Sequence, residues 1–214
     1  MLADRIRGFL HSHGVEVPPG VPPARGDHRE WYGGLPPLAA SPGDGDTIEA
    51  GGGRWQVVET GGHCRGHLCL YDSARRLLIS GDQVLPSISP NVSVLSSAPE
   101  ADPLREFLAS LQRLGACHPD TLVLPSHGRP FRGLHRRVAD LTAHHQQQLE
   151  ALREFCGEPR TAFDVLPTMF RRVPRGFHRL LAIGEAVAHL NYLRGRGQVV
   201  RSVDPGGVVR FVAA

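Results

Sequence analysis

The stretch Trp55–His63, WQVVETGGH, is a short apolar run that ends in two glycines and a histidine. Two later runs share this layout: LLISGD over Leu77–Asp82 ends in an aspartate, and TLVLPSHG over Thr121–Gly128 ends in a loop that holds a histidine. Brief apolar runs bounded by Gly, Pro and Ser are typical of buried strands. Because loops at strand ends place side chains into a common crevice, the pattern predicts that the three polar residues meet at one edge of a sheet, within reach of a single ion.

The residues that end these runs, His63, Asp82 and His127, carry two imidazoles and a carboxylate. This donor set suits a borderline-soft divalent cation such as zinc. Each residue also has a structural interpretation when it is taken alone, as a loop histidine bonded to the backbone or as an aspartate that closes a turn. Their shared placement at strand ends favours the metal-ligand interpretation for all three.

A family resemblance rests on the same segments. TGGHCRGH over Thr60–His67 resembles the T-P-G-H-[ST]-x-G-H segment of the metallo-β-lactamase superfamily. The Gly81-Asp82 pair resembles its following G-D segment, and LPSHG over Leu124–Gly128 resembles its last ligand-bearing loop. Order and spacing agree across roughly residues 45–130. The resemblance, which is to glyoxalase II-like members in particular, implies an α/β fold: a partial αββα metallo-β-lactamase sandwich.

The resemblance also implies a ligand set for a two-metal site. His63 would hold one zinc ion, His127 would hold the other, and Asp82 would bridge both, with up to two ions in a complete site. Two residues depart from the family pattern: Gly61 replaces the usual proline, and Cys64 replaces the usual serine or threonine. Neither change removes a ligand, but Cys64 places a thiol beside the site.

One signature run of the superfamily, H-x-H-x-D-H, has no counterpart before His63. In the family it supplies the remaining ligands and a water-activating aspartate. His11-Ser12-His13 gives H-x-H, but Gly14-Val15-Glu16 follows, without the aspartate and histidine. No catalytic residue is therefore assigned. The chain resembles the C-terminal half of a metallohydrolase, whether as a genuine short protein, as a misassigned start or as a fragment.

Three further residues are candidates to touch a ligand rather than to bind the metal. Cys64 is interpreted first as a small apolar side chain near the site. His67 begins the next strand, where a buried structural histidine is the simpler interpretation. His145 lies on the apolar stripe of a helix, where a core histidine is equally simple.

The chain divides into two predicted regions, a partial metallo-β-lactamase-like domain over 1–132 and a helical, winged-helix-like region over 133–214. The first region contains a short helix over 2–13, an irregular segment over 14–45, and a helix over 102–114 that has Asp at its N-cap and Pro at its first position. Its predicted strands lie near 47–49, 54–60, 67–72, 77–81 and 121–124.

The second region has helical periodicity. One apolar stripe recurs at spacings of three and four: Leu134, Val138, Leu141, His145, Leu149, Leu152 and Cys156. Two more helices are predicted over 161–170 and 176–194. Strands near 198–203 and 207–212 flank the turn sequence Asp204-Pro205-Gly206-Gly207, which predicts a hairpin.

Composition narrows the class of protein. All 24 basic residues are arginine, and the chain holds 25 glycines and 18 prolines, a joint bias that indicates a GC-rich coding background rather than a surface selected for nucleic acid. No stretch approaches the roughly 20 apolar residues of a membrane span, and no signal for export is found. The four cysteines form no framework of disulfides, so we expect reduced thiols in the cytoplasm.

Two functions remain open at this point. The first is a zinc-dependent hydrolase that acts on ester, thioester or lactone bonds of a small-molecule substrate, as a truncated and weakly active enzyme. The second is a non-catalytic interaction module built on a degenerate half metallo-β-lactamase fold. In either case we expect an apolar sheet face that the absent half would cover, and self-association through it. Metal content measured together with turnover would separate the two functions.

Overall fold

The computed structural model describes residues 2–16 and 40–214. The middle of the irregular segment predicted over 14–45 lies outside these residues. The elements, in chain order, are α1 (Leu2–Ser12), β1 (Thr47–Ala50), β2 (Gly53–Thr60), β3 (His67–Asp72), β4 (Leu77–Gly81), α2 (Pro103–Leu114), β5 (Leu122–Pro125), α3 (Leu134–Phe155), α4 (Leu166–Met169), α5 (Phe177–Gly195), β6 (Val199–Val203) and β7 (Val209–Ala213).

Strands β1 to β5 form one mixed sheet in chain order. Neighbours are antiparallel from β1 to β4, and β5 runs parallel to β4 after a crossover that contains α2. Because β2 and β4 are each antiparallel to β3, β2, β4 and β5 all run in the same direction. Their carboxyl ends therefore lie at one edge of the sheet, and it is after these three ends that the predicted ligands follow.

The two faces of this sheet have different surroundings. Leu78 pairs with Tyr71 and Val123, and this face belongs to the buried core that also contains Leu104 and Phe107 of α2. Side chains alternate across a strand, so the next positions point the other way. That opposite face carries apolar side chains as well, among them Ile79, which is 38% exposed.

Helix α2 begins where the sequence predicts it. Asp102 is the N-cap, its side chain accepts a hydrogen bond from the backbone nitrogen of Arg105 at 3.1 Å, and Pro103 occupies the first turn. Proline is well suited to that position because its missing N–H would have no partner inside the helix. The apolar side of α2 is fully buried against the sheet and α5, with Leu104, Phe107 and Leu111 at 0% exposure.

The C-terminal elements are three helices followed by a two-stranded antiparallel sheet. The predicted stripe of α3 is confirmed: Leu134, Leu141, His145, Leu149 and Leu152 are its buried residues. The predicted hairpin is confirmed too, since β6 pairs with β7 and Gly207 takes a positive φ of 81° in the turn. Among the described residues, no helix combines the length and the apolar character that crossing a membrane requires.

One predicted helix is much shorter than expected. Only Leu166–Met169 is helical within the predicted range 161–170. Thr161 and Asp164 form a closed turn instead, because the Asp164 carboxylate accepts hydrogen bonds from the Thr161 backbone nitrogen and hydroxyl, both at 2.8 Å. With the bond from the Asp164 backbone nitrogen to the Thr161 hydroxyl at 3.1 Å, these contacts form a capping box, and regular α-helix follows it only from Leu166.

Candidate metal centre

The three predicted ligands meet at the edge of the sheet where β2, β4 and β5 end. His63 Nε2 lies 3.4 Å from Asp82 Oδ2, and His127 Nε2 lies 3.6 Å from Asp82 Oδ1. The Ser126 hydroxyl donates a hydrogen bond to Asp82 Oδ1. The Asp82 carboxylate therefore stands between the two imidazoles, and each imidazole faces a different oxygen of the carboxylate.

The orientation of the His63 ring determines which nitrogen is available. Its Nδ1 lies 2.9 Å from the backbone carbonyl oxygen of Asn91. A carbonyl can only accept, so Nδ1 carries the proton and donates, and the lone pair of the neutral ring is on Nε2. That lone pair faces Asp82 Oδ2, which is also an acceptor. Two acceptors at this distance are stabilised only when a proton or a cation lies between them.

Glycines next to the ligands allow the tight turns that bring them together. Gly62 has φ of 96°, and a Cβ there would overlap the Phe107 side chain and lie 2.6 Å from the Pro103 carbonyl oxygen. Gly81 has φ of 52°, and a Cβ there would lie 2.5 Å from His67 Nε2. Both residues use a region of φ that favours glycine. The chain can thus turn sharply at the ends of β2 and β4 and direct His63 and Asp82 to one place.

The donor set fits zinc in its chemistry and its spacing. Two ligands held by one tetrahedral zinc at about 2.1 Å lie roughly 3.4 Å from each other, which agrees with the 3.4 Å and 3.6 Å separations of nitrogen and oxygen. The set is small, however. Residues 2–16 and 40–214 contain no group of three His, Cys, Asp or Glu side chains arranged to hold a metal ion. The structure therefore provides two ligand pairs that share one carboxylate, which differs from the expectation that a single ion reaches all three residues.

Cys64 and His67 lie near the predicted ligands His63 and Asp82 but are not part of the ligand pairs. Partial burial, and next the negative charge of Asp82, raise the pKa of the Cys64 thiol, so the thiolate that a metal would need is disfavoured. His67 Nδ1 is 2.7 Å from the Thr60 hydroxyl. Burial lowers the pKa of His67, the neighbouring His63 acts in the same direction, and Asp82 opposes them.

His145 is buried on α3, and both of its ring nitrogens have partners other than the three predicted ligands. Its Nε2 is 3.2 Å from the Ser89 hydroxyl, and its Nδ1 is 3.1 Å from His189 Nε2. His189 Nδ1 in turn is 2.8 Å from the carbonyl oxygen of Glu185. The two histidines thus form a buried pair that joins α3 to α5.

Sequence reasoning did not identify Asn91, whose backbone contacts His63, or Glu185, which contacts Asn91. Asn91 supplies the carbonyl that fixes His63, and its side chain donates to Glu185 Oε2 at 3.3 Å. Burial raises the pKa of the Glu185 carboxyl to about 7, although the hydrogen bond from Asn91 acts in the opposite direction. No residue-type signal marks Asn91, because its contact with His63 is made by a backbone atom.

Comparison with known families and structures identifies the family of the chain. Residues 9–127 match the metallo-beta-lactamase superfamily, and residues 149–214 match the metallo-beta-lactamase-like, C-terminal domain. A beta-lactamase domain protein from Burkholderia ambifaria is 41% identical, with a TM-score of 0.89 over 100% of this chain and 61% of its own. A metallo-beta-lactamase family protein from Thermus thermophilus is 29% identical, with a TM-score of 0.78 over 100% of this chain and 65% of its own.

The chain therefore spans less than two thirds of the length of both relatives. The first family match covers more than half of the chain and contains His63, Asp82 and His127. The relative from Burkholderia extends the similarity to every residue of the chain. Members of this family bind metal ions. This protein belongs to the metallo-beta-lactamase superfamily.

Proposed function

We propose that this chain carries one part of a binuclear zinc centre that hydrolyses ester, thioester or lactone bonds in a small-molecule substrate, in the manner of glyoxalase II-like hydrolases. The observation that carries the proposal is the pair of acceptors, His63 Nε2 and Asp82 Oδ2, that face each other 3.4 Å apart. The Asn91 carbonyl holds the proton on the other nitrogen of His63. A cation bound between Nε2 and the carboxylate would remove the repulsion.

The roles of the residues follow from their contacts. His63 and His127 would each bind one zinc ion, and Asp82 would give one carboxylate oxygen to each. Ser126 orients the carboxylate through its hydroxyl. When bound, the ions would supply Lewis-acid activation of water and of the scissile carbonyl group. Each ion would take only one imidazole and one carboxylate oxygen from this chain, so we expect the chain by itself to bind zinc weakly and to turn over substrate slowly.

A specific observation favours a second candidate, the non-catalytic interaction module. The described residues hold no group of three ligand side chains for one ion, and the outward face of the sheet carries a row of apolar side chains that includes Ile79. The C-terminal helices and hairpin have the element order of a winged helix, which we propose serves in packing or dimerisation. Its arginines belong to a chain without lysine, which argues against nucleic acid as the partner. We place the protein in the cytoplasm on the sequence argument given above.

Zinc titration of the purified chain, followed calorimetrically, tests the first proposal. We expect weak binding that is lost in His63→Ala, Asp82→Ala and His127→Ala. His118→Ala is the matched control, because His118 is an exposed loop histidine that bonds the backbone of Asp120, and it should bind zinc as the wild type does. If none of the three ligand substitutions weakens zinc binding, the proposed metal site is refuted.

Elemental analysis and turnover measurements test whether this chain alone forms a complete metal centre. Two zinc ions retained per chain after dialysis would contradict the expectation of weak binding, and so would rapid hydrolysis of a generic thioester that His127→Ala abolishes. No zinc binding at all, with no hydrolysis of esters, thioesters or lactones, would favour the interaction module.

A further inference from the structure

Helix α5 holds the loop 91–94 against its side. Asn91 Nδ2 donates to the Glu185 carboxylate at 3.3 Å, and the Val94 backbone nitrogen donates to the Gly184 carbonyl at 3.0 Å. Gly184 permits this approach, since a Cβ at that position would lie 2.7 Å from the Val94 carbonyl oxygen. The loop is therefore bonded to two consecutive residues of α5.

The amide of Asn91 is fixed at both of its ends. Its nitrogen donates to Glu185, and its Oδ1 lies 2.7 Å from the Ser93 hydroxyl. The same hydroxyl lies 2.9 Å from the Leu181 carbonyl oxygen, and with a single proton it donates to one of the two. Because the side chain of Asn91 is anchored in this way, its backbone carbonyl has a defined direction.

That carbonyl points to the metal centre. It accepts the Nδ1 proton of His63 at 2.9 Å. One residue thus connects α5 with a predicted ligand: its side chain bonds Glu185 and its main chain bonds His63. The helix that supplies Glu185 lies within the part of the chain that matches the C-terminal family domain.

We propose that Glu185 is a positioning residue for His63: through Asn91 it fixes the imidazole in the tautomer and orientation that present the Nε2 lone pair to a metal ion. The inference rests on the proposed function and adds a role for the C-terminal domain in it. Histidine ligands commonly donate their second ring N–H to a fixed acceptor, and loss of such outer contacts typically costs about 10–100-fold in metal affinity.

The first experiment needs no metal. Long-range ¹H–¹⁵N correlation spectra of the metal-free chain report which nitrogen of His63 carries the proton. We expect the Nδ1–H form in the wild type and in Glu185→Gln, which keeps an oxygen acceptor for Asn91. Glu185→Ala should give a mixture of tautomers, because the loop loses its anchor on α5.

Asn191 provides the matched control. It lies on the same helix and bonds another part of the segment between β4 and α2, because its side chain donates to the carbonyl oxygens of Pro99 and Ala101 at 3.0 and 2.9 Å. Asn191→Ala should lower stability without changing the tautomer of His63. If Glu185→Ala fails to fold, Asn91→Ala interrupts the same connection and should give the same mixed tautomers.

The second experiment is a zinc titration of the same variants. We expect the affinity to fall about 10-fold or more in Glu185→Ala, to recover in Glu185→Gln, and to stay at the wild-type value in Asn191→Ala. The double variant Asn91→Ala/Glu185→Ala should lose no more zinc affinity than either single variant, because both changes remove the same contact between Asn91 and Glu185.

The outcomes separate this inference from the proposed function. If the wild type binds zinc through His63 but Glu185→Ala changes neither the tautomer nor the affinity, the positioning role is refuted and the metal centre stands. If no variant binds zinc but the tautomer changes as expected, Glu185 positions the ring of His63 and the hydrolase proposal fails. If Asn191→Ala lowers the zinc affinity as much as Glu185→Ala does, Glu185 contributes only to general stability and the positioning role is refuted.

Discussion

His63 uses its two ring nitrogens for two different partners, and the first contact determines the chemistry of the second. Donation to the Asn91 carbonyl leaves a lone pair that faces Asp82. The ligand residues were predictable from the sequence because their types and their placement after strands are visible there. The acceptor was not, because every residue carries a backbone carbonyl and only the folded loop selects the one at Asn91.

Gly62 gives the first prediction at the scale of single residues. Gly62→Ala should lower the free energy of unfolding by roughly 2–5 kcal/mol, the sum of backbone strain at positive φ and overlap with α2. Gly66→Ala separates the two effects, because Gly66 also has a positive φ, 68°, but no atom within 4 Å of an added Cβ. It should cost only about 1–2 kcal/mol. Urea denaturation measures both, and equal losses would contradict the packing argument.

The buried pair of His145 and His189 predicts a response to acid. Burial lowers the pKa of His145 to about 3 and that of His189 to about 4, and neighbouring histidines, His144 among them, add to the effect. Both pKa values lie below the ordinary 6.5. At a pH between the folded and the unfolded pKa of each histidine, the unfolded chain therefore binds more protons than the folded chain. The contribution of the pair to stability is therefore complete above pH 6.5 and is lost as the pH falls toward 4 and below.

Glu185, whose carbonyl oxygen accepts from His189, acts in the opposite direction. Its raised pKa of about 7 means that the folded state binds its proton first, so its contribution to stability increases as the pH falls toward 4.5. Two histidines outweigh one carboxyl, and the unfolding free energy should decrease between pH 7 and pH 5. In His145→Gln/His189→Gln this slope should weaken or reverse, whereas the exposed-site variant His118→Gln should retain it. Equal slopes in all three proteins, measured by urea denaturation across this range, would contradict the assignment.

At the scale of elements, the strands and the larger helices could be predicted because local signals and tertiary packing agree. Strand β4 has the predicted bounds, and α2 begins at the predicted cap. The helix predicted over 161–170 is the exception: the apolar spacing and the reciprocal bonds of Thr161 and Asp164 both favour a helix, but only Leu166–Met169 is α-helical. The docking of the loop 91–94 on α5 had no sequence signal, because it depends on contacts between residues about ninety positions apart.

The cap of α2 supplies the prediction at this scale. Asp102→Ala should lower the free energy of unfolding by about 1 kcal/mol, because the first turn of α2 loses its side-chain acceptor. Asp102→Asn retains an oxygen that can accept from the Arg105 backbone nitrogen and loses only the exposed ion pair with the Arg105 side chain. Its loss should be a few tenths of a kcal/mol. If urea denaturation shows equal losses, the ion pair rather than the cap stabilises the start of the helix.

At the scale of the whole molecule, the outward face of the sheet carries a row of apolar side chains. Leu70 pairs with Ile79, and Ile79 pairs with Leu124, so the three side chains form one row across three strands. They lie on the face opposite to the core contributed by Leu78 and Val123. Ile79 is 38% exposed. Strands that are apolar at successive positions are typical of sheets covered on both sides, so this row has the character of a face that something else covers.

We expect this face to drive self-association, since contiguous apolar surface that is at least partly exposed favours contacts between molecules. The wild type should sediment as a dimer or larger species at micromolar concentration, and Ile79→Lys should shift the distribution toward the monomer by placing a charge in the middle of the row. Val200→Lys is the matched control, because Val200 is 54% exposed on β6 of the separate hairpin and lies outside the row. A monomeric wild type that binds little of an apolar dye would refute the expectation. An equal shift in Val200→Lys would instead assign the contact to the hairpin, which agrees with a dimerisation role for the C-terminal region rather than for the sheet.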